Sequence, residues 1–206
     1  MTTATKRLTL EEYLNYDNGK DRHYELMEGE LVEMPPESPK NVQIALFLLT
    51  QFLQFVPIHR ITNKAEIIVT GFRTTTRIPA LMVLTEELAA ALQDKTRSTI
   101  TSDMPPPALV VEVVSPGKVN QDRDYRYKRS EYGARGIAEY WIVDPQTNRV
   151  TVLILTEGLY EETVFEGDKA IASVTFPQLQ LSANQIFNTS SSSSNSNNLF
   201  KLLVTN

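Results

Sequence analysis

The chain contains no cysteine, so neither a disulfide nor a thiolate zinc site is open to it. Its two histidines, His23 and His59, are too few and too far apart for a histidine metal cluster. No apolar run is long enough to span a bilayer, and the first twenty residues lack the apolar core of a signal peptide. A cytoplasmic protein with no membrane partner is therefore expected. Positive charge is not in excess either: 20 lysines and arginines face 25 aspartates and glutamates, a net charge of -5, which excludes a general nucleic-acid coat. Internal repeats and domain-sized linkers are missing as well. What is present, 206 residues with 41% hydrophobic content, suits one α/β domain with a full core.

The chemistry concentrates in residues 105–145. Residues 108–114 form a short, β-branched apolar run after three prolines, the pattern of a strand covered on both faces. Glu112 stands in its middle. An acid there is costly unless it is paired or holds a metal, so a buried ion pair with an arginine and a metal site both remain open. Downstream, Asp124, Lys128 and Tyr132 recur at i, i+4 and i+8, along one face of a helix. A strand–helix–strand crossover would lay that helix on the sheet, where one edge reaches back toward Glu112. The alternative is a solvated helix face, because Arg123, Arg126 and Arg129 surround these positions. Residues 119–136 hold five basic residues against three acids, so any DNA contact is expected near this helix.

Elsewhere the pattern predicts a short helix over 9–16, with Thr9 as N-cap and Glu12 completing a capping box. Residues 23–34 read as a hairpin turning near Glu28 and Gly29, with His23 a surface or strand-pairing residue. Ser38 and Pro39 open a long helix, apolar nearly all round at 44–49, for the core or in part a subunit interface. Phe47, Phe52 and Phe55 are read as packing. Residues 58–61, 65–70 and 78–84 are expected as strands of a central sheet beside the Glu112 strand. Glu66 is read as a sheet-edge or solvent-facing acid, with a spare metal ligand as the other option. A helix over 85–92 is favoured by Glu86 and Glu87 near its start. A second hairpin is predicted over 150–165, turning at Glu157 and Gly158. Trp141 and Tyr140 are read as core or dimer-seam residues, with base stacking the other option. The serine- and asparagine-rich stretch from Thr189 is too polar to bury a core, and residues 189–206 are expected to be a disordered tail.

The run VVEVVSP (110–116), the spacing D-x-x-x-K-x-x-x-Y (124–132) and the run GIAEYWIVDP (136–145) together resemble a known family. It is the bacterial putative restriction endonuclease family of the PD-(D/E)XK nuclease superfamily. Residues 24–32 resemble its early hairpin and 77–83 its "PD" segment, so the resemblance spans residues 8–188. It implies a restriction-endonuclease-like domain over 8–188, an α/β fold whose mixed central sheet is flanked by helices. It also implies a metal-dependent DNA endonuclease using Mg2+ or Mn2+, working as a homodimer because two sites are needed to cut both strands together.

The implied metal site combines an early glutamate, the aspartate of the "PD" motif and the strand glutamate, with a lysine beside them. Glu25, Glu112 and Lys128 match; Glu112 and Lys128 would be the catalytic pair. In the parent superfamily the lysine lies two residues after the strand acid, where this chain has Val114. The aspartate's place is taken by Ala80. Magnesium needs hard carboxylate oxygens, and alanine supplies none, so metal binding and activity should be impaired. Losing even an outer partner of a metal typically costs about 10–100-fold. DNA contacts are expected from Arg123, Arg126 and Tyr132. The alternative is a non-catalytic homologue that keeps the fold and binds DNA or a protein partner.

Overall fold

Thr9 and Glu12 do close a capping box: the Thr9 hydroxyl accepts from the Glu12 N–H at 3.1 Å and the Glu12 carboxylate from the Thr9 N–H at 2.8 Å, which starts α1 (Leu10–Leu14). The structure, a computed structural model, describes residues 7–16, 24–69 and 74–188. His23 and the serine-rich stretch from Thr189 lie outside the described residues. Strands β1 (Tyr24–Met27) and β2 (Glu30–Glu33) form a hairpin across Glu28 and Gly29. Both turn residues have positive φ, 49° and 83°, the backbone of a tight hairpin turn and one that glycine adopts without strain. Ser38 accepts from the Asn41 N–H and Pro39 occupies the first turn of α2 (Pro39–Phe52). This helix is not buried all round: Ile44, Leu48 and Phe52 face the core, whereas Val42 and Leu46 are exposed.

Residues 58–61 depart from the expected strand. Ile58–Arg60 is a single 3-10 turn after Pro57, and only β3 (Ile61–Thr62) is extended. The β-branched residues suggested a strand, but the Arg60 N–H closes back onto the Pro57 carbonyl at 3.0 Å. Next come β4 (Glu66–Val69), β5 (Thr75–Arg77), β6 (Leu81–Val83), α3 (Glu86–Leu92) and β7 (Thr99–Ile100). After the prolines comes β8 (Leu109–Val113), fully buried. The crossover then runs as α4 (Lys118–Asp122), a π-helical turn over Arg123–Lys128, and α5 (Arg129–Ala134). Strand β9 (Glu139–Asp144) follows, then the hairpin of β10 (Arg149–Thr156) and β11 (Leu159–Phe165), and finally α6 (Ala183–Phe187).

The central sheet has six strands in the order β11-β10-β9-β8-β6-β3. Its β8–β9 pair is parallel, as a strand–helix–strand crossover requires, and the others are antiparallel. Strand β4 belongs elsewhere than expected, in a second sheet of order β5-β4-β7. Alternation along β8 then assigns two faces. Leu109, Val111 and Val113 pack with Ile44, Leu48 and Phe52 of α2, Trp141 of β9 and Ile186 of α6. Val110 and Val114 point the other way, toward Ile67 of β4, Leu88 of α3, Ile100 of β7 and Tyr132 of α5. Helices therefore flank both faces, and Trp141 is core: its indole N–H donates to Glu139 at 2.7 Å and its ring meets Phe52 edge-on.

The weight of the first core is testable at Phe52, which is stacked on Phe176 at 4.8 Å and set edge-on to Trp141 at 5.7 Å. Phe52→Ala should cost about 3–5 kcal/mol in urea unfolding. Leu159→Ala, at a position 77% exposed, should stay within about 0.5 kcal/mol. Similar losses for the two would contradict this assignment of the core.

Candidate active site

Because side chains alternate along β8, Glu112 shares its face with Val110 and Val114 and meets the crossover helix. Its Oε1 accepts from the Lys128 ammonium at 2.8 Å and from the Tyr132 hydroxyl at 2.6 Å. The same ammonium lies 3.1 Å from Asp124 Oδ1, one helical step back. The π turn supplies this geometry, since its wider ring carries both Asp124 and Lys128 inward to 1% and 3% exposure. Arg123 Nε contacts the same Asp124 oxygen at 3.4 Å, and Tyr140 Oη donates to the Asp124 carbonyl at 3.0 Å. Asp124 Oδ2 is buried without a hydrogen-bond partner among the described residues.

Burial pushes the Glu112 carboxyl above its ordinary range and Asp124 adds to the rise, while Lys128 and Tyr132 oppose it. Burial alone would push the Lys128 ammonium down; Glu112, Asp124 and Glu25 outweigh that, so it is held up and protonated. Burial and the Glu112 charge raise the Tyr132 hydroxyl well above its ordinary value, which keeps it a donor.

A second ionic group forms the neighbouring wall. Glu25 of β1 accepts from Arg77 at 2.9 Å through Oε2 and from the Ile78 backbone N–H at 2.9 Å through Oε1. Arg77 also grips Glu131 of α5 through two bonds of 2.7 Å, the fork geometry natural to a guanidinium. Burial would lower the Arg77 pKa, but Glu131 and Glu25 raise it well above the ordinary arginine value. One buried arginine thus ties the hairpin, the second sheet and the crossover helix together.

These groups open onto one pocket of about 460 Å³, lined by Glu25, Ala80, Glu112, Arg123 and Lys128. Met34, Val42 and Leu46 supply an apolar side. The donor set can be weighed against a magnesium ion, which takes about six oxygens in near-octahedral order. Both Glu25 oxygens are engaged, Glu112 offers Oε2, and Ala80 offers nothing. Among the described residues no three acids are grouped to hold a metal. The residues present therefore do not fit a resident divalent ion.

The structure brings Glu25, Ala80, Glu112, Lys128 and Arg123 to the same pocket. Arg126 stands apart on the surface, paired with Asp122 at 3.7 Å. Tyr132 corrects an expectation. It is fully buried with its hydroxyl on Glu112, so it positions that acid and cannot touch a DNA strand. Glu66 is a second correction: it is neither exposed nor at this pocket, but 5% exposed and bound by Arg97, Thr99 and Tyr13. Sequence reasoning missed Arg77 and Glu131. Arg77 is the first residue of the "PD" segment, a signal of sorts; Glu131 gave none, because its partner is 54 residues away.

A family model described as "Putative restriction endonuclease" matches residues 10–184. No curated protein matches the chain. A solved structure, titled as a putative nuclease from Anabaena variabilis, is similar at 17% identity with a TM-score of 0.66, covering 88% of this chain and 98% of that one. That likeness concerns the fold.

Lys128 can be tested apart from any activity. Lys128→Met leaves Glu112 and Asp124 facing each other in the core and should cost about 3–5 kcal/mol near neutral pH. The sign of the pH dependence follows from Glu112. A carboxyl whose folded pKa is raised contributes stability that is full below its unfolded value and lost as pH rises through its folded value. Removing the ammonium raises it further, so the deficit against the unmodified chain should be smaller at about pH 5 than at about pH 8. Urea unfolding at the two pH values reads this out; an equal deficit at both would rule out the coupled pair.

Proposed function

Because the chain belongs to the family described as "Putative restriction endonuclease", we propose that its pocket is a metal-dependent phosphodiester-cleaving site of the PD-(D/E)XK type, impaired by Ala80. The observation that carries this reading is the convergence of Glu112, Lys128 and Glu25 beside Ala80 in one pocket. An acid buried against a lysine at a pocket is what phosphoryl chemistry uses: hard oxygens for a cation, and an ammonium for the charge that builds on phosphate. The divalent ion that this chemistry calls on, Mg2+ or Mn2+, would need the carboxylate that position 80 lacks, which is why the reading is of an impaired site. The chain's own residues hold the proton on Lys128, fix Glu112 through Tyr132, and keep an oxygen of Glu112 available. DNA is the substrate in this reading, with Arg123 at the pocket contacting its phosphates and Arg126, farther out on the exposed side of the same helix, a further phosphate contact. A homodimer would bring two such sites to the two strands.

A second reading has its own support. With no group of three acids among the described residues and Lys128 already held by two carboxylates, a non-catalytic homologue that binds DNA or a protein fits the geometry. Position 80 separates the two. Ala80 follows Pro79 and immediately precedes β6, so an aspartate there adds a carboxylate at the pocket without disturbing a sheet hydrogen bond.

Ala80→Asp should bind magnesium or manganese by calorimetry and bring nicking of supercoiled plasmid from near zero to detectable. Without metal the added charge should lower the melting temperature slightly, and magnesium should restore it. A variant that neither binds either ion nor cuts DNA would decide for the binding reading.

In the Ala80→Asp background, Glu112→Gln should cut metal affinity at least about tenfold while shifting the melting temperature little. Equal loss of both would mark Glu112 as a structural ion-pair partner only.

A further inference from the structure

A second pocket adjoins the first across the turn between β3 and β4. Lys64 and Ile78 line both. It encloses about 250 Å³, below the range of about 300–1,000 Å³ usual for a site that swallows a whole ligand, so it suits one part of a larger molecule. Its walls are Tyr13, Tyr16 and Tyr24 with Arg97 and Glu66.

One wall is fixed. Tyr13 donates to Glu66 Oε2 at 2.7 Å and Arg97 Nε donates to Glu66 Oε1 at 2.6 Å. The Arg97 guanidinium also lies 4.9 Å from the Tyr13 ring centre and donates to the Leu14 carbonyl at 2.7 Å. With Glu66 neutralised by Arg97, the lining charge left over is the ammonium of Lys64, which is exposed and has no ion pair among the described residues. The other wall is open. Tyr16 meets Tyr24 edge-on at 6.1 Å and remains 42% exposed, so aromatic surface faces the pocket beside two cations.

We propose that this pocket takes one unpaired base of a DNA strand, stacked on Tyr16, with the neighbouring phosphate at Lys64. Aromatic faces interleaved with cations are the means by which proteins hold single strands, because every base has a stacking face. A paired base is already stacked between its neighbours and must leave the helix to enter so small a space. A backbone passing Lys64 then continues into the pocket of Glu112 and Lys128. That continuation rests on the cleavage reading above; the base site itself does not.

The test is fluorescence anisotropy of the full chain with a labelled oligothymidine and with the same strand in duplex, without added metal. The single strand should bind more tightly than the duplex. Tyr16→Ala should weaken single-strand binding on the order of tenfold and spare the duplex, whereas Tyr16→Phe, which keeps the ring, should bind as the unmodified chain does. Lys64→Ala should weaken both and reduce the salt slope by about one unit. No single-strand preference, no effect of Tyr16→Ala, or equal weakening of both DNAs by Tyr16→Ala would overturn the proposal. Cleavage is scored separately in the Ala80→Asp form. Cutting with Tyr16-independent binding sinks the base site alone, and Tyr16-dependent binding without cutting sinks the cleavage reading alone.

Discussion

A charged lysine placed between two acids inside a protein core is the constraint around which this fold is arranged. Glu112, Asp124 and Lys128 are each at most 5% exposed, and none could stay ionised there alone. Their attraction does not by itself make the protein stable, since a well-packed apolar replacement often does as well. What it does is exclude alternatives. Strand β8 must present Glu112 to the crossover helix, the helix must turn Lys128 inward, and the π turn must bring Asp124 within 3.1 Å of it.

Arg77 extends the same logic to the surrounding elements. It binds Glu25 on the hairpin and Glu131 on α5, so three segments distant in sequence meet at one guanidinium. The two ionic groups then form adjacent walls of one pocket, with Ala80 between the strand that ends in Arg77 and β6. In the first group Lys128 and Arg123 balance Glu112 and Asp124. In the second, Glu25 and Glu131 share one arginine, which leaves a single surplus negative charge at the pocket.

Contrast with Glu139 shows why acid burial alone is a poor guide to chemistry. Glu139 is fully buried at the start of β9, yet Trp141, Ser173 and the Thr175 N–H satisfy it with neutral donors. It ties the sheet to the segment that follows β11 and lines neither of the two pockets beside the β3–β4 turn. Glu112 differs in having a cation, a tyrosine and an open space. Glu66 is intermediate, paired like Glu112 but with an arginine on the opposite side of the β3–β4 turn.

Local interactions were legible from the residues. The Thr9 capping box, the Ser38–Pro39 helix start, the two turns at Glu28–Gly29 and Glu157–Gly158, and the buried β8 and β9 runs all depend on neighbours a few positions apart. The spacing of Asp124, Lys128 and Tyr132 likewise placed them on one face. Residues 58–60 misled because β-branched side chains favour strands only when a partner strand is there to pair with. Strand β4 misled because the choice between two sheets is made by pairing with β5 and β7, contacts no local pattern encodes. The burial of Tyr132 and the clasp of Arg77 on Glu131 were beyond reach for the same reason. Periodicity and turn chemistry act over a few residues and so can be read along the chain, whereas a charge finds its partner through space, and only the folded arrangement decides which one it meets.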